Sequence, residues 1–439
     1  MSRRAGAGPG VGPGVGPGVG TRSPAPADVG TDSPAARRGV SLGEQTLLLC
    51  CLIGATQMTW GTIVPALPLY PGRFGATALV LSPIIAAFGF GRVLANIPAG
   101  ILLRWWKPRP YLWAVSLLLI VVTGLTGLAP DAETLIAARV LAGVLGGAAI
   151  TIGFAILVSG APPARRGRVM ATVTAVQMSA GAAGSFLGGL VLTWFPLEVV
   201  FPVASVPLAL VLLWDAVRPA AHYWIPRGRQ GHGPETPAAT ASVPGARGTG
   251  YAGVGVVVVV VALALSSFAT FFARFGGEQG LVPLAGYDTG GLTPFTLGLA
   301  LAAATLISLA ALPVVGSLID RGYRLAVLVP GVLASAAALL LFPVADGPWL
   351  FAVAIVLYGL ATSVAGIVPT VLMSEAVPAR QSGLVVGITR TAGDLGAVAG
   401  PLVVLAVYDS NGLWPAILVI VGLLLLSNLM LARLLLRRR

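Results

Sequence analysis

The stretch Gly316-Ser-Leu-Ile-Asp-Arg-Gly-Tyr-Arg324 is a short basic gap between two long apolar runs. On either side of it, further gaps alternate in the sign of their charge. Of the 27 Arg and Lys residues, 22 lie in the tails or in every second gap. The exceptions are Arg73 and four arginines inside apolar runs. Cationic loops stay in the cytoplasm during insertion, so this sorting predicts a multi-pass membrane protein with both termini cytoplasmic. The intervening gaps hold acids instead: Asp131, Glu133, Glu198, Asp288, Asp346 and Asp409.

The overall composition also indicates a membrane protein. Of the 439 residues only 10% are charged and 56% are hydrophobic, with a mean hydropathy of +0.91. A water-soluble domain could not hide this much apolar surface, so the bilayer must be the solvent. The net charge of +12 lies in tails and loops beside the membrane, and we therefore expect no nucleic-acid partner. The single lysine among the basic residues is typical of a GC-rich bacterial genome and favours the bacterial cytoplasmic membrane.

The chain divides into a tail, two apolar halves and a linker. Residues 1–40 are rich in Gly, Pro, Ala and Ser and predict a disordered cytoplasmic tail. Residues 41–217 and 251–439 each predict a six-helix bundle, and the polar, Pro- and Gly-rich 218–250 predicts a cytoplasmic linker. A helix needs about 20 residues to cross the hydrocarbon. Twelve such helices fit near 45–70, 79–103, 110–129, 132–159, 168–194, 196–215, 252–285, 293–319, 324–344, 348–374, 381–408 and 412–436.

The two halves repeat each other. Four pairs of Gly or Pro residues are separated by the same 216 positions. Because each half begins inside and has an even number of helices, the copies are parallel and related by an axis along the membrane normal. This architecture predicts a binding site between the halves. The pairs are Gly100 and Gly316, Gly143 and Gly359, Pro162 and Pro378, and Gly184 and Gly400.

The loop from Gly316 to Arg324 resembles the loop signature of the major facilitator superfamily, which has Gly, three residues, Asp, Arg and further basic residues. The resemblance covers essentially everything after residue 44, and it implies an all-α fold of twelve transmembrane helices in two pseudo-symmetric bundles. In the family this loop contacts a helix of the opposite half. Asp320 is thus expected to face the positive N-terminus of helix 5, while Arg321 and Arg324 stay at the anionic membrane surface.

The corresponding loop of the first half departs from this signature. Gly100 is present, but Arg104 stands where the family has Asp. An arginine facing the N-terminus of helix 11 would be repelled by it. We therefore expect the cytoplasm-closed state to be less favoured than in relatives.

Two helices carry glycine signatures. Arg139, followed by Gly143 and Gly147 in helix 4, resembles the family's Arg-Gly-Gly signature, and its glycines predict close helix packing. Helix 5 holds Gly181-Ala-Ala-Gly-Ser-Phe-Leu-Gly-Gly189, which is similar to the signature of antiporters, although Ser185 replaces its proline. The resemblance is to the drug:proton antiporter-like branch and implies efflux.

Six ionisable residues remain at membrane depth. Each would cost about 2.5–3.5 kcal/mol at the centre of an isolated span, so we expect them to face a cavity or one another. Two pairs are spaced i, i+4, within reach of a salt bridge, and simple mutual neutralisation stays an alternative for both. If all six face the site, its positive balance favours anionic, zwitterionic or neutral substrates. The six are Arg92, Arg139, Arg274, Glu278, Arg390 and Asp394.

Proton coupling needs a group that can lose and regain a proton. Asp394 lies in Arg390-Thr-Ala-Gly-Asp394, which resembles a helix-11 segment of drug exporters. A carboxylate there can titrate when burial and a nearby Arg oppose each other, whereas arginine stays protonated. Asp394 is therefore the first candidate for proton coupling and Glu278 the second.

The sequence predicts a monomeric secondary transporter that moves a small organic molecule by proton-coupled efflux. Uptake of a metabolite, or uniport, stays the alternative. We expect no enzyme activity, cofactor or metal site, because the loops lack clusters of catalytic or metal-ligating residues.

Overall fold

The computed structural model describes residues 42–74, 78–103, 105–160, 166–217, 256–376 and 382–436, and within these ranges the chain is helical without strands. The expected tail, the linker and Arg104 lie outside them. Eleven of the described helices are long and apolar enough to cross a bilayer. A twelfth, at the start of the described residues, contains the shorter apolar stretch Thr46–Gly61. The twelve are α1 (Leu42–Gly61), α2 (Leu81–Leu102), α3 (Pro108–Thr126), α4 (Ala132–Gly160), α5 (Arg166–Trp194), α6 (Val200–Val217), α7 (Val256–Phe272, continued by the π-helical Ala273–Leu281 and by Val282–Asp288), α8 (Pro294–Asp320), α9 (Arg324–Leu341), α10 (Pro348–Ala376), α11 (Ser382–Asn411) and α12 (Leu413–Leu436).

The first helix is shorter than predicted. A continuous span over 45–70 is wrong, because α1 ends at Gly61. Pro65 and Pro68 each lack a backbone N–H, and two prolines so close together disfavour a continuous helix, whereas the single prolines inside α8 and α9 are accommodated. It proceeds instead through tight turns, including the 3₁₀ turn Leu67–Leu69 and the short helix Tyr70–Arg73.

Helix contacts in the first half recur six helices later in the second. α2 packs on α4 as α8 packs on α10, and α1 packs on α5 as α7 packs on α11. α3 contacts α4 and α6 as α9 contacts α10 and α12. The contacts between halves follow the same rule, since α2 meets α11 and α5 meets α8. The predicted fold of two pseudo-symmetric six-helix bundles is therefore confirmed.

Repeated glycines occupy equivalent contacts in the two halves. A Cβ added at Gly143 would lie 2.3 Å from the carbonyl oxygen of Phe88, and one at Gly359 would lie 2.8 Å from Cβ of Ala304. Phe88 and Ala304 are separated by the same 216 positions as the glycines. Both glycines are thus required for close approach of two helices, which confirms the packing role predicted for helix 4.

The outer surface suits a bilayer. Large apolar side chains lie exposed along α3, α6 and α8, which is a surface that water would not tolerate at this extent. Exposed tryptophans lie at both ends of the bundle, as in the aromatic belts of membrane proteins. Trp105 and Trp106 lie at one end, and Trp194, Trp349 and Trp414 lie at the other.

Candidate functional site

The two ends of the bundle differ in charge. One end of the bundle holds the α2–α3 and α8–α9 connections. We call it the basic end, because Arg109 and Arg321 lie there. The opposite end, with Asp131, Glu198 and Asp346 between helices, is the acidic end. These names locate the features below along the helix axes.

A cavity of about 530 Å³ extends from the middle of the bundle toward the basic end. Its walls come from α5 of the first half and from α7, α8, α9, α10 and α12 of the second. On α10 the lining runs from Tyr358, near the middle, to Thr370, close to the end of the helix at Ala376. The volume falls within the roughly 300–1,000 Å³ of typical small-molecule sites.

The two halves touch each other at the acidic end. Trp60 Nε1 on α1 donates a hydrogen bond to Gln279 Oε1 on α7 at 2.9 Å. Tyr287 Oη donates to the carbonyl oxygen of Pro65 at 2.7 Å. At the α5–α8 contact a Cβ on Gly189 would overlap the backbone of α8. The cavity is therefore separated from the acidic end by direct contacts between the halves, which we call the acidic-end seal.

Two of the six predicted charges line the cavity. Arg274 and Glu278 both lie on the π-helical part of α7, Arg274 exposed and Glu278 partly exposed to the space. Among the described residues neither forms an ion pair, with the other or with any third group. The wider π-helical turn changes the i, i+4 spacing assumed for an α-helix. Mutual neutralisation therefore does not hold for this pair.

The other polar groups of the cavity are mainly hydroxyls whose hydrogens are already used. Six Ser and Thr side chains each donate to the carbonyl four residues earlier, at distances of 2.6–3.2 Å. A hydroxyl that donates in this way keeps lone pairs to accept a further hydrogen bond. The cavity thus presents acceptors rather than donors. The six are Thr270, Thr305, Ser308, Ser335, Thr362 and Thr370.

A second group of charges lies where α11 packs on α2. Asp394 is only 6% exposed, and it is the acid that acts electrostatically on the Arg92 guanidinium, together with the positive charges of Arg390 and Arg274. Arg390 is exposed. Asp394, Arg390 and Arg274 thus each act electrostatically on Arg92.

Arg139 lies apart from the cavity. Its side chain is 1% exposed, and its guanidinium carbon lies 4.7 Å from the ring centroid of Trp60 and 4.9 Å from that of Phe88. These are cation–π distances. Its Nε and Nη2 atoms have no hydrogen-bond partner among the described residues. Arg139 therefore contacts aromatic side chains of α1 and α2, and its part in coupling stays a prediction.

The gating loop follows a helix cap. Gly322 has φ +89°, while Tyr323 N–H donates to Leu318 O and Gly322 N–H to Ile319 O. This is the Schellman motif, and it requires the left-handed backbone that glycine adopts readily. Asp320 is exposed and makes no ion pair with a described residue.

Arg321 is exposed and Arg324 opens α9, while Gly316 and the first-half Gly100 have open space beside them. The gating role of the loop stays a prediction.

One buried ion pair at the basic end could not be predicted from the sequence. The Asp215 carboxylate on α6 has a side-chain exposure of 0% and accepts from Arg109 Nε at 3.0 Å and from Trp113 Nε1 at 2.6 Å. Both donors lie on α3, so the contact joins two helices of the first half. The only sequence signal is an acid near the end of an apolar helix that precedes a basic segment.

Two aromatic side chains also line the cavity, and its hydroxyls were not identified from the sequence. Phe271 and Tyr358 line the cavity, whereas Trp60 belongs to the acidic-end seal. The hydroxyl lining and Gln279 were not predicted. The signal that was available is the recurrence of Ser and Thr within the otherwise apolar helices α8 to α10.

The described helices form two bundles of membrane-spanning length, and the cavity is walled mainly by the second of them. The sequence profile of the Major Facilitator Superfamily matches residues 49–290 and 254–439. The chain therefore belongs to this superfamily and is a membrane transporter. No curated protein matches the sequence.

Solved structures share the fold at low identity. The human organic anion transporter MFSD10 (TETRAN) is 18% identical with a TM-score of 0.59, and the match covers 88% of this chain and 98% of that one. A variant of the nucleoside transporter NupG is 12% identical with a TM-score of 0.68, covering 89% and 99%. At such identities the likeness concerns the fold alone.

Proposed function

We propose that this protein is a secondary active transporter that moves a small organic molecule out of a bacterial cell by proton-coupled alternating access. The observation that carries the proposal is a cavity walled mainly by the second bundle and completed by Thr174 and Met178 of the first, lined by Arg274 and Glu278 and separated from the acidic end by the seal. With the basic end cytoplasmic, the cavity faces inward, where an exporter loads its substrate.

Asp394 is proposed as the proton-coupling group. Its carboxylate is buried and acts electrostatically on the Arg92 guanidinium, and a carboxylate subject to both burial and a neighbouring cation is suited to gain and lose a proton. Because α2 and α11 belong to different halves, their relative movement changes the surroundings of this carboxylate. Protonation and conformation are thereby linked.

The remaining organisation is part of the same proposal. Both termini lie in the cytoplasm, residues 1–40 form a cytoplasmic tail, and 218–250 link the bundles 41–217 and 251–439. The protein acts as a monomer, since one chain supplies both halves of the cavity. The loop with Asp320 contributes to closure at the cytoplasmic side.

The test is a flux measurement in proteoliposomes that contain a trapped pH-sensitive dye. A panel of metabolites and drugs is added on one side, and substrate-dependent proton movement is followed. We expect a substrate gradient to drive opposite proton movement, and Asp394→Asn to abolish it while Asp346→Asn, at an exposed loop, leaves it intact. Undiminished coupling in Asp394→Asn would end the assignment of that residue. Proton movement in the same direction as substrate would make the protein an uptake carrier.

A further inference from the structure

The cavity holds one cation and one anion that do not neutralise each other. Arg274 and Glu278 are the only ionised side chains among its described lining, and neither has an ion-pair partner in that part of the chain. Arg92, Arg390 and Asp394 do not line it. The positive balance expected when all six charges face the site is therefore replaced by a neutral pair.

Occlusion of the cavity removes water from both charges. A singly charged ligand would compensate one of them and leave the other desolvated, and a neutral ligand would compensate neither. A zwitterion satisfies both. Arg274 and Glu278 are four positions apart on the same π-helical segment. This spacing suits a molecule whose two charges are separated by only a few bonds.

The hydroxyl lining adds a second, independent preference. Ser308, Ser335 and Thr362 donate to their own helices and offer only lone pairs to the cavity. Asn428 Nδ2 likewise donates to the carbonyl of Leu424. The hydroxyl oxygens of the second-half helices can therefore accept hydrogen bonds from a ligand rich in N–H donors. An ammonium group has three such donors. The guanidinium of Arg274 is the one charged donor among the described lining and suits a carboxylate.

We propose, as a refinement that rests on the transport function above, that the cavity binds a small amino-acid-like zwitterion. Its carboxylate pairs with Arg274, and its ammonium pairs with Glu278 and the hydroxyl oxygens. The side chain of the ligand lies against Phe271, Tyr358 and the apolar wall.

The experiment measures equilibrium binding to the purified full-length protein in detergent, without any gradient. The probes are the amino acids with neutral side chains, each as the free zwitterion, the cationic methyl ester, the anionic N-acetyl derivative and the neutral N-acetyl methyl ester. For at least one side chain we expect the zwitterion to bind roughly 10- to 100-fold more tightly than either singly charged form, as expected for loss of one charge-assisted hydrogen bond.

Variants separate charge from ligand size. Arg274→Gln should remove the preference for the zwitterion over its methyl ester, and Arg274→Lys should retain it. Glu278→Gln should remove the preference over the N-acetyl derivative. The matched controls Arg433→Gln and Asp346→Asn change exposed residues outside the cavity and should alter neither preference.

Three results would overturn the proposal: no zwitterion binds, a singly charged or neutral form binds equally well, or the preferences persist unchanged in the variants. Its failure is distinct from failure of the transport function. A zwitterion that binds but is never moved refutes transport alone, whereas transport of a singly charged molecule without zwitterion binding refutes this assignment alone.

Discussion

Removal of the Gln279 side-chain amide should weaken the acidic-end seal. In Gln279→Leu the indole N–H of Trp60, which is 3% exposed, loses its acceptor at 2.9 Å. A buried donor left unsatisfied costs about 1–3 kcal/mol. A value of about 2 kcal/mol corresponds to an almost 30-fold shift of the equilibrium away from the sealed state. The shift arises because the bond joins the two halves and is broken when they separate.

The assay is maleimide labelling of a cysteine at position 64, in a background where Cys50 and Cys51 are replaced by alanine. Val64 is 4% exposed and adjoins Pro65, which accepts the second hydrogen bond of the seal. Its labelling rate reports the fraction of molecules with an open seal. We expect a roughly 10- to 100-fold faster rate in Gln279→Leu. Gln177→Leu on α5 is the matched control and should label at the parent rate.

A double variant sharpens this prediction. Trp60→Phe with Gln279→Leu removes both polar groups, so that no unpaired donor remains, and such replacements are close to neutral. The double variant should therefore label more slowly than Gln279→Leu alone. Unchanged labelling in Gln279→Leu, or faster labelling in the double variant than in either single one, would refute the assignment of this bond to the seal.

Two further substitutions test the helix contacts. Asp215→Asn should lower the free energy of unfolding by about 3–5 kcal/mol, because it leaves the Arg109 charge without its buried partner; thermal unfolding of the purified protein measures this, and a change as small as that of Asp346→Asn would contradict it. Gly188→Ala should lower stability by about 1–3 kcal/mol, because its Cβ would lie 2.0 Å from the carbonyl oxygen of Thr62, just after α1. Gly181→Ala, whose added Cβ meets nothing within 4 Å, should leave stability unchanged. Equal melting temperatures for the two glycine variants would contradict this reasoning, because they would show that the backbone at Thr62 moves aside without loss of stability.

The architecture could be predicted from the sequence because hydropathy and loop charge are properties of short, continuous segments of the chain. Spans of about 20 apolar residues and alternating loop charge are local properties, and the repeat of 216 positions is visible in the glycines. The end of α1 was also within reach, since Pro65 and Pro68 are local signals.

The site was less accessible to sequence reasoning because it depends on which helix faces meet. Arg139 and Arg274 look alike in an apolar helix, yet one packs against two aromatic rings and the other lines the cavity. The bond between Trp60 and Gln279 joins residues 219 positions apart. No local pattern identifies such a partner, and the π-helical segment of α7 that presents Arg274 and Glu278 has no simple sequence signature.

Alternating access is tested by spin-label distances at the two ends of the same protein. Leu128 and Val344 are exposed at the acidic end of the two halves, and Trp106 and Tyr323 are exposed at the basic end. Each pair is converted to cysteines in the background without Cys50 and Cys51, and distances are measured over the pH range of transport in the parent protein and in Asp394→Asn. We predict that the acidic-end distance grows as the basic-end distance shrinks. Distances that stay fixed, or change together, would contradict the movement of two rigid bundles around the cavity.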